Sequence, residues 1–348
     1  MAHVDPNAAG PGARRSSFDF PQDERQSPSG NARASEDEGR PHSRGPWVRA
    51  ALQLLRRPKA VFGITVIVLL YGGGILAPLL APYGFDDQDL LAAREGPSAE
   101  HLLGTDFVGR DVLSRVIYSL RTNLIVTATA VATGSLALGI TLGLMAGYFG
   151  KRVDTVVMRV GEVFLAFPGL LLVILLAATV RPRVLDWVRS LEDATGIYGL
   201  AQWGIADYLV VFGALAVFSW VGVARLVRGQ VIQLKAMPFV EASRTTGATA
   251  PRLILRHLLP NALPPVIVVV TMGMGAIAGA EVVLSWLGIG IQHPVPSLGS
   301  MIREGQDVSI LRNQPHLILP PVVVVGLLVF AWNLLGDALN DVLNPRAR

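Results

Sequence analysis

The side chains in this chain that are able to do chemistry are sparse and poorly grouped for catalysis. Its six histidines, His3, His42, His101, His257, His293 and His316, are scattered over a polar tail, loops and one connecting segment, and cysteine is absent. That removes disulfides, thiol catalysis and cysteine-based metal sites, and it fits either redox compartment. The sequence contains no GxxxxGK[ST] phosphate loop, no HExxH and no GxSxG, so nothing in it cradles a nucleotide or builds a hydrolytic centre. His101, His293 and His316 are the one trio that could meet as metal ligands, and three independent loop histidines are the expectation. Two polar features remain. Glu281 is the only acid deep in an apolar run, VIVVVTMGMGAIAGAEVVLSWLG. Burying its charge costs about 2.5–3.5 kcal/mol on insertion scales, so it must face water or a partner group. It either lines a polar path or links helices by hydrogen bonds, and the packing or gating role is preferred. The second feature is EASRTTGATAPRLILRHLLP, residues 241–260, a polar stretch between two apolar blocks.

Local physics predicts two short helices in that stretch. Pro238 suits a first helical turn, where its fixed φ is an advantage and its missing N–H costs nothing. Glu241 then lies near the positive N-terminal turn. Gly247 is free to take φ > 0 and can end the helix. Thr249 is a possible N-cap for a second helix, with Pro251 in its first turn, Arg252, Arg256 and His257 toward its end, and Pro260 closing it. The result is a compact knob able to seat in a groove on another protein, or a plain connection between two spans.

The elements that must hold these residues are membrane helices. The chain is 51% hydrophobic and only 16% charged, and its apolar residues come in long blocks. A helix needs about 20 apolar residues to cross roughly 30 Å of hydrocarbon. Six stretches meet or approach that, near Val61–Leu80, Leu124–Phe149, Val163–Val180, Tyr208–Val227, Val266–Ile289 and Leu317–Leu335. The predicted fold is all-α, a polytopic membrane protein of six transmembrane helices. The net charge of +4 is spread among the spans, which argues against nucleic acid as a partner. Arg49, Arg56, Arg57, Lys59, Lys151, Arg152, Arg159, Arg225, Arg228, Lys235, Arg244, Arg252 and Arg256 fall on one side if the N-terminus is cytoplasmic, which also places the C-terminus inside. Residues 1–45, rich in Ser, Pro, Gly and charge, cannot bury enough apolar area to fold and are expected to be a disordered cytoplasmic tail. An uncleaved anchor helix and an external segment follow over 46–118, then the main membrane domain over 119–344.

Three details sharpen this frame. Pro168 lies inside the third span and should kink it near Phe167, as a gate hinge or as packing geometry. Gly273, Gly275, Ala276, Ala278, Gly279 and Ala280 let the fifth span approach a neighbour closely. The external segment Tyr83–Arg121 carries LGTDFVGRDVLSRVIYSLRTNL, in which Thr105 and Asp106 resemble a capped turn and Arg110 and Asp111 are close enough to pair. Such pairs contribute little when exposed.

Glu241, Ala242, Gly247, Leu259 and Pro260, with nine residues between Gly247 and His257, resemble the EAA loop of ATP-binding-cassette importer permeases. Ser243 stands where that pattern has a second alanine, and His257 where it has isoleucine. The external segment, the run Glu281–Met301 and the C-terminal NLLGDALNDVLNPRAR resemble the C-type subunit of the dipeptide, oligopeptide and nickel branch, so the resemblance reaches from Trp47 to Arg348. It implies a transport subunit with no ATPase site and no cofactor of its own. ATP would be used by two separate ATPase subunits docked on Glu241, Ala242, Ser243, Gly247, Leu259 and Pro260. A second homologous permease would complete the path, and an extracytoplasmic solute-binding protein would deliver the solute in a bacterial inner membrane. The cargo the resemblance implies is a dipeptide, an oligopeptide or a related small solute, with a nickel chelate as the alternative; which of these is carried, and the residues that line the path, are left open. An ion-coupled secondary transporter or channel is the competing class, weakened by the lack of internal repeats and by Glu281 being the single deep charge.

Overall fold

A computed structural model describes residues 46–343. The tail expected over 1–45 lies outside the described residues, as do the last five of the chain. Residues 46–343 form one compact unit. Its regular elements are helices: α1 Pro46–Leu55, α2 Pro58–Ile75, α3 Ala77–Leu80, α4 Val112–Ala130, α5 Thr141–Phe149, α6 Lys151–Ala166, α7 Gly169–Thr195, α8 Ile205–Lys235, α9 Pro238–Thr245, α10 Ala250–Leu253, α11 Leu259–Trp286, α12 Leu298–Glu304, α13 Val308–Asn313 and α14 Leu319–Leu343. Among the described residues five helical stretches are long and apolar enough to cross a membrane, six if one sharply bent pair counts as a span. Their outward faces stay apolar, with Leu69 on α2 68% exposed and Phe330 on α14 53% exposed, as a lipid solvent requires.

The second span starts earlier than the hydropathy indicates. It runs from Val112 to Phe149, 38 residues or about 57 Å at roughly 1.5 Å per residue. Arg115 and Arg121 therefore sit on the helix and not in the loop before it, and the boundary expected at 118 falls inside α4. Asp111 begins the helix, its carboxylate accepting from the Ser114 N–H at 2.7 Å.

Between α4 and α5 the winding widens to a π-helix over Val131–Ile140. The reason lies in the packing against α8. Gly134, Gly139, Gly143 and Gly147 all face that helix, and a β-carbon at Gly143 would come within 2.7 Å of the Ala224 carbonyl oxygen. The last three are four apart, but Gly134 and Gly139 are five apart. An α-helical turn would swing Gly134 off this stripe, and the π-turns keep it in line. Small residues without side-chain bulk let the two backbones meet, which is how helices associate where no water drives them together.

The third span is broken more sharply than a kink. α6 and α7 meet at 92° across Phe167 and Pro168. Phe164 packs edge-on against Phe218 at 5.6 Å and Trp220 at 6.4 Å, while Val173 joins Val211 and Leu215 further up α8. The break thus falls opposite the middle of α8. Pro168 has no N–H for the ladder, and its ring would strike the carbonyl of Phe164 in a continuous helix. Farther on, Arg181 on α7 pairs with Asp207 at the start of α8 at 2.8 Å, and Asp154 holds Arg228 in a bidentate pair, one bond of 2.7 Å.

Candidate functional site: a surface knob and two polar networks

The 238–260 knob is anchored from below and free above. Val240, Leu253 and Leu258 are fully buried against Leu144, Val227 and Val231, and the Lys235 ammonium donates to the Tyr148 carbonyl at 2.7 Å. Glu241, Ala242 and Gly247 are exposed and Ser243 is half-buried. The Ser243 hydroxyl donates back to the Phe239 carbonyl at 2.8 Å, so this short polar residue keeps its bond within α9.

Helix α9 ends in a Schellman turn. The Gly247 N–H donates to Arg244 O at 2.9 Å and the Ala248 N–H to Ser243 O at 3.1 Å, with Gly247 at φ +82°, the left-handed conformation this motif requires. Thr249 stands at the N-cap position of α10, but its hydroxyl caps nothing.

Pro260 does not close a second short helix. α10 widens into π-winding over Ile254–Leu258 and passes into α11, so Ala250–Trp286 is one helical stretch of 37 residues. The wider turn relieves the clash a proline makes with the preceding turn, and the Asn261 amide donates to the His257 carbonyl there at 2.6 Å. Leu259 and Pro260 are thus part of a rod running from the knob into the fifth span.

Glu281 lies on that rod, fully buried, and its partners are side chains. Asn123 donates to it at 2.7 Å and the Ser285 hydroxyl at 2.8 Å. Asn123 also bridges to the Ala278 carbonyl at 3.2 Å and accepts from Tyr71 Oη at 3.0 Å. The carboxyl therefore ties α2, α4 and α11 together. Of the two roles open for it, the geometry is that of a helix-linking group.

The far end of the bundle holds a second network. Asp106 accepts from the Val108 and Arg110 N–H groups, from Arg110 Nε at 2.7 Å and from Arg115 Nη1 at 2.5 Å. Arg115 also reaches Glu304 through both terminal nitrogens, at 2.8 and 3.1 Å. Arg110 therefore pairs with Asp106 and not with Asp111, which instead caps α4 and holds His101 at 3.1 Å. The cause is the turn at 104–109, which folds the Asp106 carboxylate back over the Arg110 N–H. These pairs are also buried: Asp106 is 2% and Arg115 1% exposed, so they are not the weak surface bridges expected from the sequence. Neither Asn123 nor the Arg115–Glu304 link was legible in the sequence, since each joins residues more than 150 positions from a partner.

Residues 139–348 match the family described as binding-protein-dependent transport system inner membrane component, and residues 45–97 match the N-terminal TM domain of oligopeptide transport permease C. The chain is 34% identical over 303 residues to the dipeptide transport system permease protein DppC of Alkalihalophilus pseudofirmus, covering 87% of this chain and 91% of that one. This chain belongs to the binding-protein-dependent permease family. DppC of Bacillus subtilis is 36% identical over 87% of each chain. The glutathione transport system permease protein GsiD of Pectobacterium atrosepticum is 35% identical over 88% of this chain and 93% of its own. The protein is accordingly a multi-pass inner-membrane permease of an ABC transport system, a family that works with ATPase and binding-protein partners, and the ion-coupled transporter or channel is left without support.

Acid should loosen the far-end network of this permease. Burial alone would raise the Glu304 carboxyl, but His293 and Arg115 beside it outweigh that and hold it at about 2, against an ordinary 4.5. A depressed carboxyl contributes stability that is fully present above 4.5 and is lost as pH falls through about 2. Hydrogen exchange of residues 84–111 in detergent should stay slow down to the upper limit and quicken below it. Glu304→Gln should remove that acid step, and an unchanged profile in the variant would assign the effect to other carboxylates.

Proposed function

We propose that this permease is the C-type half of a peptide importer, with its N- and C-termini and the 238–260 knob cytoplasmic. A second homologous permease completes the path, two ATPase subunits grip the knobs, and an extracytoplasmic binding protein delivers solute to the far end. The names of the relatives, dipeptide and glutathione permeases, support peptide as the cargo. The lysines and arginines near the span ends support the orientation.

The observation that carries the coupling role is mechanical. An exposed helix is locked by a left-handed glycine turn to a continuous rod that ends in the Glu281 node. ATPase closure pressing on Glu241 and Ala242 moves that rod as a unit, and the broken α6–α7 pair at Pro168 is the place where the bundle yields. Two states differing in contacts at the knob are what a nucleotide-driven switch needs.

Gly247→Val tests this. A β-carbon at Gly247 would meet nothing within 4 Å, so the change acts only through backbone strain of about 1–3 kcal/mol at positive φ. Insertion should be normal and binding-protein-stimulated ATP hydrolysis in proteoliposomes should fall several-fold, while Gly247→Asn, which tolerates this conformation, keeps most of it. Wild-type coupling in the valine variant would remove the knob from the mechanism.

A further inference from the structure

Resting on the peptide-import reading, we infer that Arg121 is the carboxylate-binding group of a peptide subsite at the far end of the bundle. A cavity of about 440 Å³ opens there, walled by Phe85, Tyr118, Trp203, Tyr208 and Val295, with Arg121 in its lining. That volume lies within the roughly 300–1,000 Å³ of small-molecule sites, which pair apolar and aromatic walls with a few placed polar groups.

Arg121 sits nine residues into α4 and is exposed, three positions before the apolar run that begins at Leu124, so its guanidinium is open to water at the mouth of the bundle. Among the described residues it has no ion pair and no side-chain hydrogen bond. The one acidic residue of α8, Asp207, is already taken by Arg181 at 2.8 Å and by the Gln292 N–H at 3.1 Å. Glu281 is held by Asn123 and Ser285. Tyr208 donates its hydroxyl to Thr122 at 3.2 Å, which turns its ring, and not a competing charge, toward the cavity.

The site therefore offers one uncompensated cation among aromatic and proline walls. Its complement is an anion on a small amphipathic body, and a short peptide presents that as its terminal carboxylate, which a guanidinium grips through two parallel N–H bonds. The aromatic walls take side chains without choosing among them, so the carboxylate is the feature held in common.

The test uses the purified permease–ATPase complex without its binding protein, titrated with N-terminally dansylated trialanine and with the same probe as its C-terminal amide. The complex should bind the acid about tenfold more tightly than the amide, as one charge-assisted contact warrants. Arg121→Gln should reduce that preference to about twofold or less, with affinity for the amide unchanged, which also shows the pocket intact. Equal binding of acid and amide by the unaltered complex, or an undiminished preference in the variant, overturns the assignment. Uptake into proteoliposomes with the binding protein present separates the two readings. Import of peptide alongside either of those results removes only the subsite, and no import of any peptide removes the transport reading with it.

Discussion

Asp106→Ala is expected to cost the folded state about 3–5 kcal/mol, the loss seen when one partner of a buried ion pair is removed. The Asp106 carboxylate accepts hydrogen bonds from both Arg110 and Arg115, and it also satisfies two backbone N–H groups. Without it the Arg115 charge, 1% exposed, keeps Glu304 alone, and its Nε already has no partner. The midpoint of thermal unfolding in detergent should fall on the order of 10 °C. Asp106→Asn keeps acceptor geometry but not charge, and should fall between. An alanine variant melting like the parent would mean that water fills the site and the network is not structural.

Gly134→Leu should be comparably severe, at about 3 kcal/mol or more, the upper end for overpacking. A β-carbon there would lie 2.1 Å from Ser219 Oγ and 2.4 Å from the Ala216 carbonyl oxygen. A hydroxyl can rotate away, but a backbone carbonyl moves only if α8 moves. Because α8 also packs against α4, α7 and α11, separation at this point spreads through the bundle. Size-exclusion profiles after detergent extraction should show loss of the monodisperse peak. Gly213→Ala on α8, where a β-carbon meets nothing within 4 Å, serves as the control. If the leucine variant extracts and melts normally, the close approach of α4–α5 to α8 is wrong.

Both sites illustrate what a linear reading misses. Arg110 and Asp111 are neighbours in sequence and look like a pair, yet the turn brings Asp106 to Arg110 and frees Asp111 to cap α4. Glycines at 139, 143 and 147 repeat every four residues, the spacing of one helix face. Gly134 is out of step by one and joins the stripe only through the π-winding. At Pro260 the sequence points to a stop, because proline ends most helices. Here a widened turn carries the helix through, so that Ala250–Trp286 joins the second half of the knob to the fifth span.

The primary structure by itself determined the properties set by local chemistry and by solvent. Apolar blocks of spanning length specify how many helices must lie in lipid, a proline at 168 forbids an unbroken third span, and a glycine at 247 permits the left-handed turn that ends α9. Tertiary structure alone decided which distant groups meet: Asn123 with Glu281 and Arg115 with Glu304, while the Arg121 guanidinium has no ion pair among the described residues. A hydrogen bond is made over about 3 Å, and which side chains come that close depends on how helices from opposite ends of the chain are packed, a choice that no single segment encodes.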